Sequence, residues 1–351
     1  MIEKSEFGQL PNGQSVESYT MTNNNGMSIE ILTLGAIIRS WKTSLHNPID
    51  IVLGFDSVDD YLADQGYLGR TVGRYANRIE KGQFSLNGEA YQVSTNLQGN
   101  SLHGGADGFH NRIWQVSHIQ DTPVPAIILE ITSIDGDQGF SGTLKVAVEF
   151  TLDDQDCLTI EYRAKSDKDT VFNPTQHSYF NLAGHDSGPV IEHQITAFAG
   201  HYTPANKEAI PTGEIKPVKG SVFDLSQPTS FKTAIEDKNP EIMAASGLDH
   251  NWCIDGFENE QDKMLLAAVV ADPHSGRKLI THTTMPGMQI YTGNFIGDSP
   301  KGKNRTTYGQ YHGFCVESQF YPNSPNQPNF PSATLKANQE FVSKTSYQLL
   351  Q

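Results

Sequence analysis

The chain has 351 residues, with 25 basic against 40 acidic side chains and a formal net charge of −15. That length admits a large hydrophobic core, and a mean hydropathy of −0.44 suits a globular chain rather than a disordered one. A pI near 5.2 repels phosphate backbones and excludes a general nucleic-acid role, leaving a small or neutral partner.

No apolar run reaches the roughly 18 residues that a transmembrane helix needs, so no membrane association is expected. The opening stretch MIEKSEFGQLPNGQ has neither a basic nor an apolar leader region, so no signal peptide is expected either. No Pro/Gly/Ser linker, like-charge block or short repeat divides the chain, and a single domain over 1–351 is predicted.

Period-two alternation dominates from the N-terminal side onward. Phe84-Ser85-Leu86 and Glu89-Ala90-Tyr91 flank Asn87-Gly88, the strongest local signal for a type I′ hairpin. Leu144, Val146, Val148 and Phe150 alternate with polar residues, a turn follows at 153–156, and Leu158, Ile160 and Tyr162 alternate again, predicting a second antiparallel pair. Further strands are expected over 127–131, 265–270 and 289–295. Helical signal is confined to 230–245, a short helix or two that Pro240 should interrupt. Roughly 20 short strands in an all-β antiparallel sandwich would account for the length.

Several motifs fail on inspection. Residues 297–304 nearly match a P-loop, but Asn304 stands where a magnesium-binding hydroxyl belongs, and the stretch reads as a polar surface loop with a chance lysine. No GxSxG, HExxH or GxGxxG occurs. The 12 histidines show no metal-ligand spacing, so no metal site is expected and most should lie in loops or at rims. Cys157, Cys253 and Cys315 are odd in number and far apart, which fits buried thiols in a reducing cytoplasm better than disulfides.

Four stretches mix amides, histidine and arginine with aromatics: 73–79, 100–105, 173–182 and 315–322. Amides and guanidinium donors satisfy sugar hydroxyls while ring faces cover C–H patches, so a carbohydrate site competes with structural loops as the reading. In order along the chain, VGRYANRI, NSLHGG, TQHSYFNLAG, GLDHNW, PGMQIYTGNF and VESQFYPNSPNQPNFPS together resemble the aldose 1-epimerase (mutarotase) family, from about residue 34 to 345.

That resemblance implies a β-supersandwich, no cofactor, and interconversion of α and β anomers of free aldohexoses such as galactose and glucose. It implies His177 as general acid, Glu317 as general base, His103 as a second active-site histidine, and Asn77, Arg78, Asp249 and Gln289 as contacts to sugar hydroxyls. Departures from the family pattern are Gln176 for the usual Asn, Phe320 where His is common, Asn323 where an acid is usual, and Ala337-Asn338-Gln339 in place of a Pro-Gly turn.

The chemistry asks for such a pair. Opening a pyranose removes a proton from the anomeric hydroxyl and adds one to the ring oxygen, each transfer typically worth about 10²–10⁴-fold. Glu317 is expected ionised and His177 protonated by its charged neighbours. Asp249 also fits a turn, Gln289 an outward sheet position and Arg78 a structural ion pair, and at most one of Tyr179 and Phe180 should contact the sugar. The alternatives are a hexose-6-phosphate epimerase, which would need spare cations among Arg70, Arg74 and Arg78, and a non-catalytic sugar-binding sandwich.

Overall fold

Apolar-polar alternation becomes sheet wherever a turn residue lets the chain reverse. Asn87 and Gly88 sit at φ 53° and 84° between strands Gln83–Leu86 and Glu89–Gln92, both positive as a type I′ loop requires. Strands Leu144–Leu152 and Cys157–Ser166 pair antiparallel, Leu144 facing Ser166 and Leu152 facing Leu158. The computed structural model describes residues 1–44, 46–257, 263–297 and 300–351. Among these, 26 strands occur, more than the predicted 20 because several span only two or three residues.

Three sheets hold most of them. Four N-terminal strands, from Ile2–Gln9 to Ile37–Lys42, form a meander. A nine-stranded sheet is centred on Cys157–Ser166, Glu340–Leu350 and Lys278–Thr283. A five-stranded sheet runs in the order Lys216–Pro217, His201–Thr203, Asp249–Cys253, Gly287–Tyr291 and Cys315–Gln319. All strand pairs in these sheets are antiparallel.

The two larger sheets face each other. Trp252, Ile290 and Val316 from the five-stranded sheet share one core with Phe150, Ile160 and Tyr347 from the nine-stranded one, and the Tyr347 hydroxyl donates to the Val316 carbonyl at 2.8 Å. Because side chains alternate across a strand, burying 252, 290 and 316 sends 249, 251, 289, 291, 315 and 317 to the opposite face. That face carries the site.

Some expectations need correction. The strand predicted over 289–295 is Gly287–Tyr291, because Gly293 turns the chain at φ 66° and Asn294 ties off to the Ala245 and Leu248 carbonyls. Two short helices fill 230–245 as expected, Phe231–Ile235 capped by Ser230 and Pro240–Ala245 capped by Asn239, but the break falls before Pro240, which sits in the first turn of the second helix. Residues 298 and 299 of the P-loop near-match lie outside the described residues. Lys303 of that motif is buried, not superficial, and pairs with Asp50 at 2.6 Å. Of the cysteines, all free, Cys253 and Cys315 are buried and Cys157 is partly exposed.

The histidines are not mainly at rims, since His103, His110, His177, His185, His193 and His250 are all buried. His193 accepts the Leu182 N–H on Nε2 at 3.1 Å, and burial lowers its pKa to about 4. The unfolded chain therefore takes up a proton below about pH 6.5 that the native state refuses, and stability falls as pH drops toward 4. The urea midpoint at pH 5 should lie clearly below that at pH 7.5. His193→Gln should flatten this dependence by on the order of 2 kcal/mol.

Candidate active site

Three neighbouring strands build the floor of the site. Register places Asn251 opposite Gln289 and Gln289 opposite Glu317, with Asp249, Tyr291 and Cys315 forming the next row on the same face. Strand Thr175–His177 brings His177 to Glu317, and pairs with Arg70–Val72 through His177 opposite Arg70. His177 Nε2 lies 3.6 Å from Glu317 Oε1, and both side chains are almost fully buried. The other carboxyl oxygen, Glu317 Oε2, is buried without a hydrogen-bond partner, as is Nε of Arg78. Leaving such groups unpaired in a dry site costs about 1–3 kcal/mol each or more, so they are suited to taking up ligand hydroxyls.

The remaining predicted residues close around this pair. Asn77 is held at φ 62°. Its backbone N–H donates to His103 Nδ1 at 3.1 Å, and its side-chain oxygen accepts from Arg78 Nη1 at 3.2 Å. Arg78 Nη2 reaches Asp249 at 3.5 Å, and Gln289 Nε2 donates to the other Asp249 oxygen at 2.7 Å. Asp249 opens a strand and does not form a turn, and Gln289 is buried on the site face. All seven predicted residues therefore belong to one cluster.

His103, His177 and Glu317 offer ligand atoms within 4.8 Å of one another, a spacing that raises metal binding as a possibility. The local chemistry opposes it. Nδ1 of His103 is already engaged by a backbone N–H, so the neutral ring carries its hydrogen on Nε2 and presents no free lone pair. That hydrogen makes Nε2 a donor and not a metal ligand.

Electrostatics correct the expected protonation states. Burial lowers the His177 pKa to about 4, against a weaker upward pull from Asp249. Burial also lifts the Glu317 carboxyl well above its ordinary range, helped by Asp249 and opposed by Arg78. Before substrate arrives, the charged neighbours do not prevail, because desolvation penalises both ions. A neutral His177 with a protonated Glu317 nevertheless holds the same single proton as the ion pair.

Sequence reasoning missed several neighbours. Tyr67 packs its ring 4.7 Å from His103 and 6.0 Å from His177. Tyr291 lies 6.4 Å and Tyr179 5.1 Å from the His177 ring, while Phe180 packs on Trp41 and Phe314 in the core. Asn251 is buried with neither amide atom bonded. Period-two spacing from Asp249 and Glu317 could have found Asn251 and Cys315; nothing local marks Tyr67.

The departures from the family pattern have structural roles. Gln176 accepts from Thr71 Oγ1 at 2.9 Å, so it stitches the His177 strand to its neighbour. Asn323 and Asn338 take positive φ, 60° and 62°, a conformation that asparagine tolerates. The cations a phosphate would need are engaged by protein groups: Arg70 by Asp64 and the His110 carbonyl, Arg74 by Ser133 and Ser141, while Arg78 pairs with Asp249 and keeps only Nε open.

A large antiparallel sandwich that sets a buried histidine against a buried carboxyl and rings them with amides is suited to moving protons on a polar, hydroxyl-rich ligand. Residues 17–348 match the family model described as aldose 1-epimerase. The chain is 38% identical over 349 residues to galactose mutarotase of Mus musculus, covering 99% of this chain and 98% of that one. It is 33% identical to aldose 1-epimerase of Escherichia coli K12, covering 97% of each. Among solved structures, galactose 1-epimerase of Lactobacillus acidophilus superposes with a TM-score of 0.87 at 26% identity, covering 100% of this chain and 98% of the other. The chain belongs to the aldose 1-epimerase family. Among the described residues, no helix is long and apolar enough to cross a membrane.

Proposed function

We propose that Glu317 and His177 carry the protons of the reaction this family performs, the interconversion of α and β anomers of free aldohexoses. One observation carries the reading: Glu317 presents one oxygen to His177 Nε2 at 3.6 Å and keeps the other buried and unpartnered. The anomeric O–H donates to that free oxygen. Hydrogen bonding to a carboxylate favours its charged form, so binding moves the shared proton onto His177. Glu317 then removes the anomeric proton while His177 Nε2–H protonates the ring oxygen, and the C1–O5 bond opens. Rotation about C1–C2 turns the other carbonyl face to the ring oxygen, and the two groups exchange roles during closure.

His103 Nε2–H and Arg78 steady the oxygens as charge shifts, and Asn77, Asp249 and Gln289 hold the remaining hydroxyls. Galactose is the substrate we favour, on the names of the mammalian relatives, with glucose second. Engagement of Arg70, Arg74 and Arg78 by protein groups argues against a phosphosugar. We read the chain as one domain working in a reducing cytoplasm, in keeping with three free thiols.

The test is polarimetry of freshly dissolved α-galactose and α-glucose with and without the protein. Decay should accelerate for the free sugars and not for galactose 6-phosphate. The pH profile of kcat/KM is equally specific. The pair holds its single proton between the lowered His177 pKa, about 4, and the raised Glu317 pKa. The acid limb of activity should therefore lie near pH 4 and not near the 6.5 of an ordinary histidine, with the alkaline limb set by the raised Glu317 carboxyl. Asp249→Asn removes one upward influence on Glu317, so the alkaline limb should move to lower pH.

A further inference from the structure

Tyr67 is held at φ 58°, in the left-handed region that bulky L-residues avoid. Two residues of the site, Asn77 and His103, share that region at 62° and 51°. A strained residue persists only where its surroundings over-determine it. Around Tyr67 they do. The buried carboxyl of Asp64 accepts the Gly66 N–H at 2.7 Å and the Leu68 N–H at 2.9 Å, and Arg70 Nε lies 3.7 Å from the same carboxyl. The Arg70 N–H donates to the Tyr67 carbonyl at 3.1 Å. Two more bonds tie this loop to the segment of His177: the Tyr179 hydroxyl donates to the Gly66 carbonyl at 2.7 Å, and the Gly69 N–H to the His177 carbonyl at 3.0 Å. The Tyr67 ring is thereby fixed 4.7 Å from His103, 4.8 Å from His110 and 6.0 Å from His177.

We propose that Tyr67 is a further substrate-binding residue, whose phenol O–H donates to a hydroxyl of the bound aldose other than the anomeric one. This inference rests on the reading of His177 and Glu317 as the pair over which the sugar lies. Packing on three imidazoles needs only an apolar ring, so the hydroxyl is the informative part. Its oxygen accepts from Asn96 Nδ2 at 3.4 Å, an amide that also donates to the Leu102 carbonyl at 3.0 Å. A phenol both donates and accepts, and among the described residues no acceptor takes the Tyr67 hydrogen. The side chain is only partly buried, which leaves that hydrogen accessible from the mouth of the site. The anomeric and ring oxygens already fall to Glu317 and His177, and Tyr67 packs closer to His103 than to either ring nitrogen's carboxyl partner requires, so its partner is one of the remaining hydroxyls. Burial lifts the phenol pKa above its ordinary value, so the group stays a donor and takes no part in proton transfer. Because Asp64 and Arg70 fix the loop before any ligand arrives, the donor loses little conformational freedom on binding, and the backbone strain is the cost of that pre-organisation.

The experiment compares wild type with Tyr67→Phe, which keeps the packed ring and removes only the O–H. Both proteins are given α-galactose and its 2-deoxy, 3-deoxy, 4-deoxy and 6-deoxy forms. Polarimetry reads kcat and KM, and titration calorimetry reads affinity without turnover. Tyr67→Phe should raise KM for galactose and weaken its calorimetric affinity by about fivefold, with kcat within about twofold, as loss of one neutral hydrogen bond predicts. That difference between the two proteins should vanish for one of the four deoxy sugars and persist for the other three, which identifies the hydroxyl. Equal KM and affinity for galactose in the two proteins overturns the proposal. A difference that persists with all four deoxy sugars also overturns it, since that would mark packing. So does a fall in kcat at unchanged KM, which would move the hydroxyl into the chemistry. Failure of wild type to accelerate mutarotation would instead overturn the proposed function, and calorimetry would still decide whether the Tyr67 hydroxyl binds sugar.

Discussion

Replacing Glu317 with glutamine is expected to lower kcat by about 10²–10⁴-fold, toward the spontaneous rate, while the protein remains folded. The amide fills the same volume but accepts no proton from the anomeric hydroxyl. Stability should move the other way. The Glu317 pKa is raised in the folded state, so whatever stability it adds is present below about 4.5 and is lost as pH rises through the folded value. Above that value the wild type holds a buried charge that glutamine does not carry. Thermal unfolding of Glu317→Gln should therefore match or exceed wild type at pH 8. A variant that mutarotates normally by polarimetry would remove Glu317 from the reaction.

The second large effect lies away from the chemistry. Lys303 Nζ donates to Asp50 Oδ2 at 2.6 Å, to the Val52 carbonyl at 2.8 Å and to the Arg39 carbonyl at 3.0 Å, which uses all three of its hydrogens. Asp50 also accepts from Ser40 Oγ at 2.6 Å and the Trp41 N–H at 3.1 Å. Although burial alone would raise the Asp50 pKa, Lys303 and these donors hold the carboxyl below its usual range. Asp50→Ala strands a buried ammonium and should cost about 3–5 kcal/mol, whereas a fully apolar replacement of both partners should cost much less. Urea unfolding of Asp50→Ala, Lys303→Met and the double variant reads this directly: the double should be more stable than Asp50→Ala alone. Activity should weaken as well, because the same segment fixes the site wall through the Leu53 N–H, bonded to the Tyr179 carbonyl at 2.9 Å.

Lys303 also illustrates where sequence reading runs out. Its neighbours are glycine and asparagine, and nothing local reveals that Asp50, some 250 positions away, is its partner. The strands were legible because Leu144–Leu152 and its like alternate with period two, and the Asn87-Gly88 turn because its geometry is set by two adjacent residues. The proposed acid-base pair could be named from sequence because HSYFNL and VESQ carry the resemblance. Protonation was not: the His177 pKa depends on how dry the assembled site is, which no motif encodes. Nor was the partly buried Tyr67, which reaches His103 only through folding of its loop. Half the histidines were misplaced for a related reason, since a buried imidazole needs only one backbone partner, as His193 has in Leu182.

The odd-even split of the strand Gly287–Tyr291 has an evolutionary consequence. Met288 and Ile290 answer to packing, while Gln289 and Tyr291 stand on the site face, so mutation can explore one set without disturbing the other. The lining of the proposed site is thereby open to stepwise change at positions 249, 251, 289 and 291. A single-residue deletion in this ribbon, by contrast, would exchange the two sets at once and forfeit stability and turnover together.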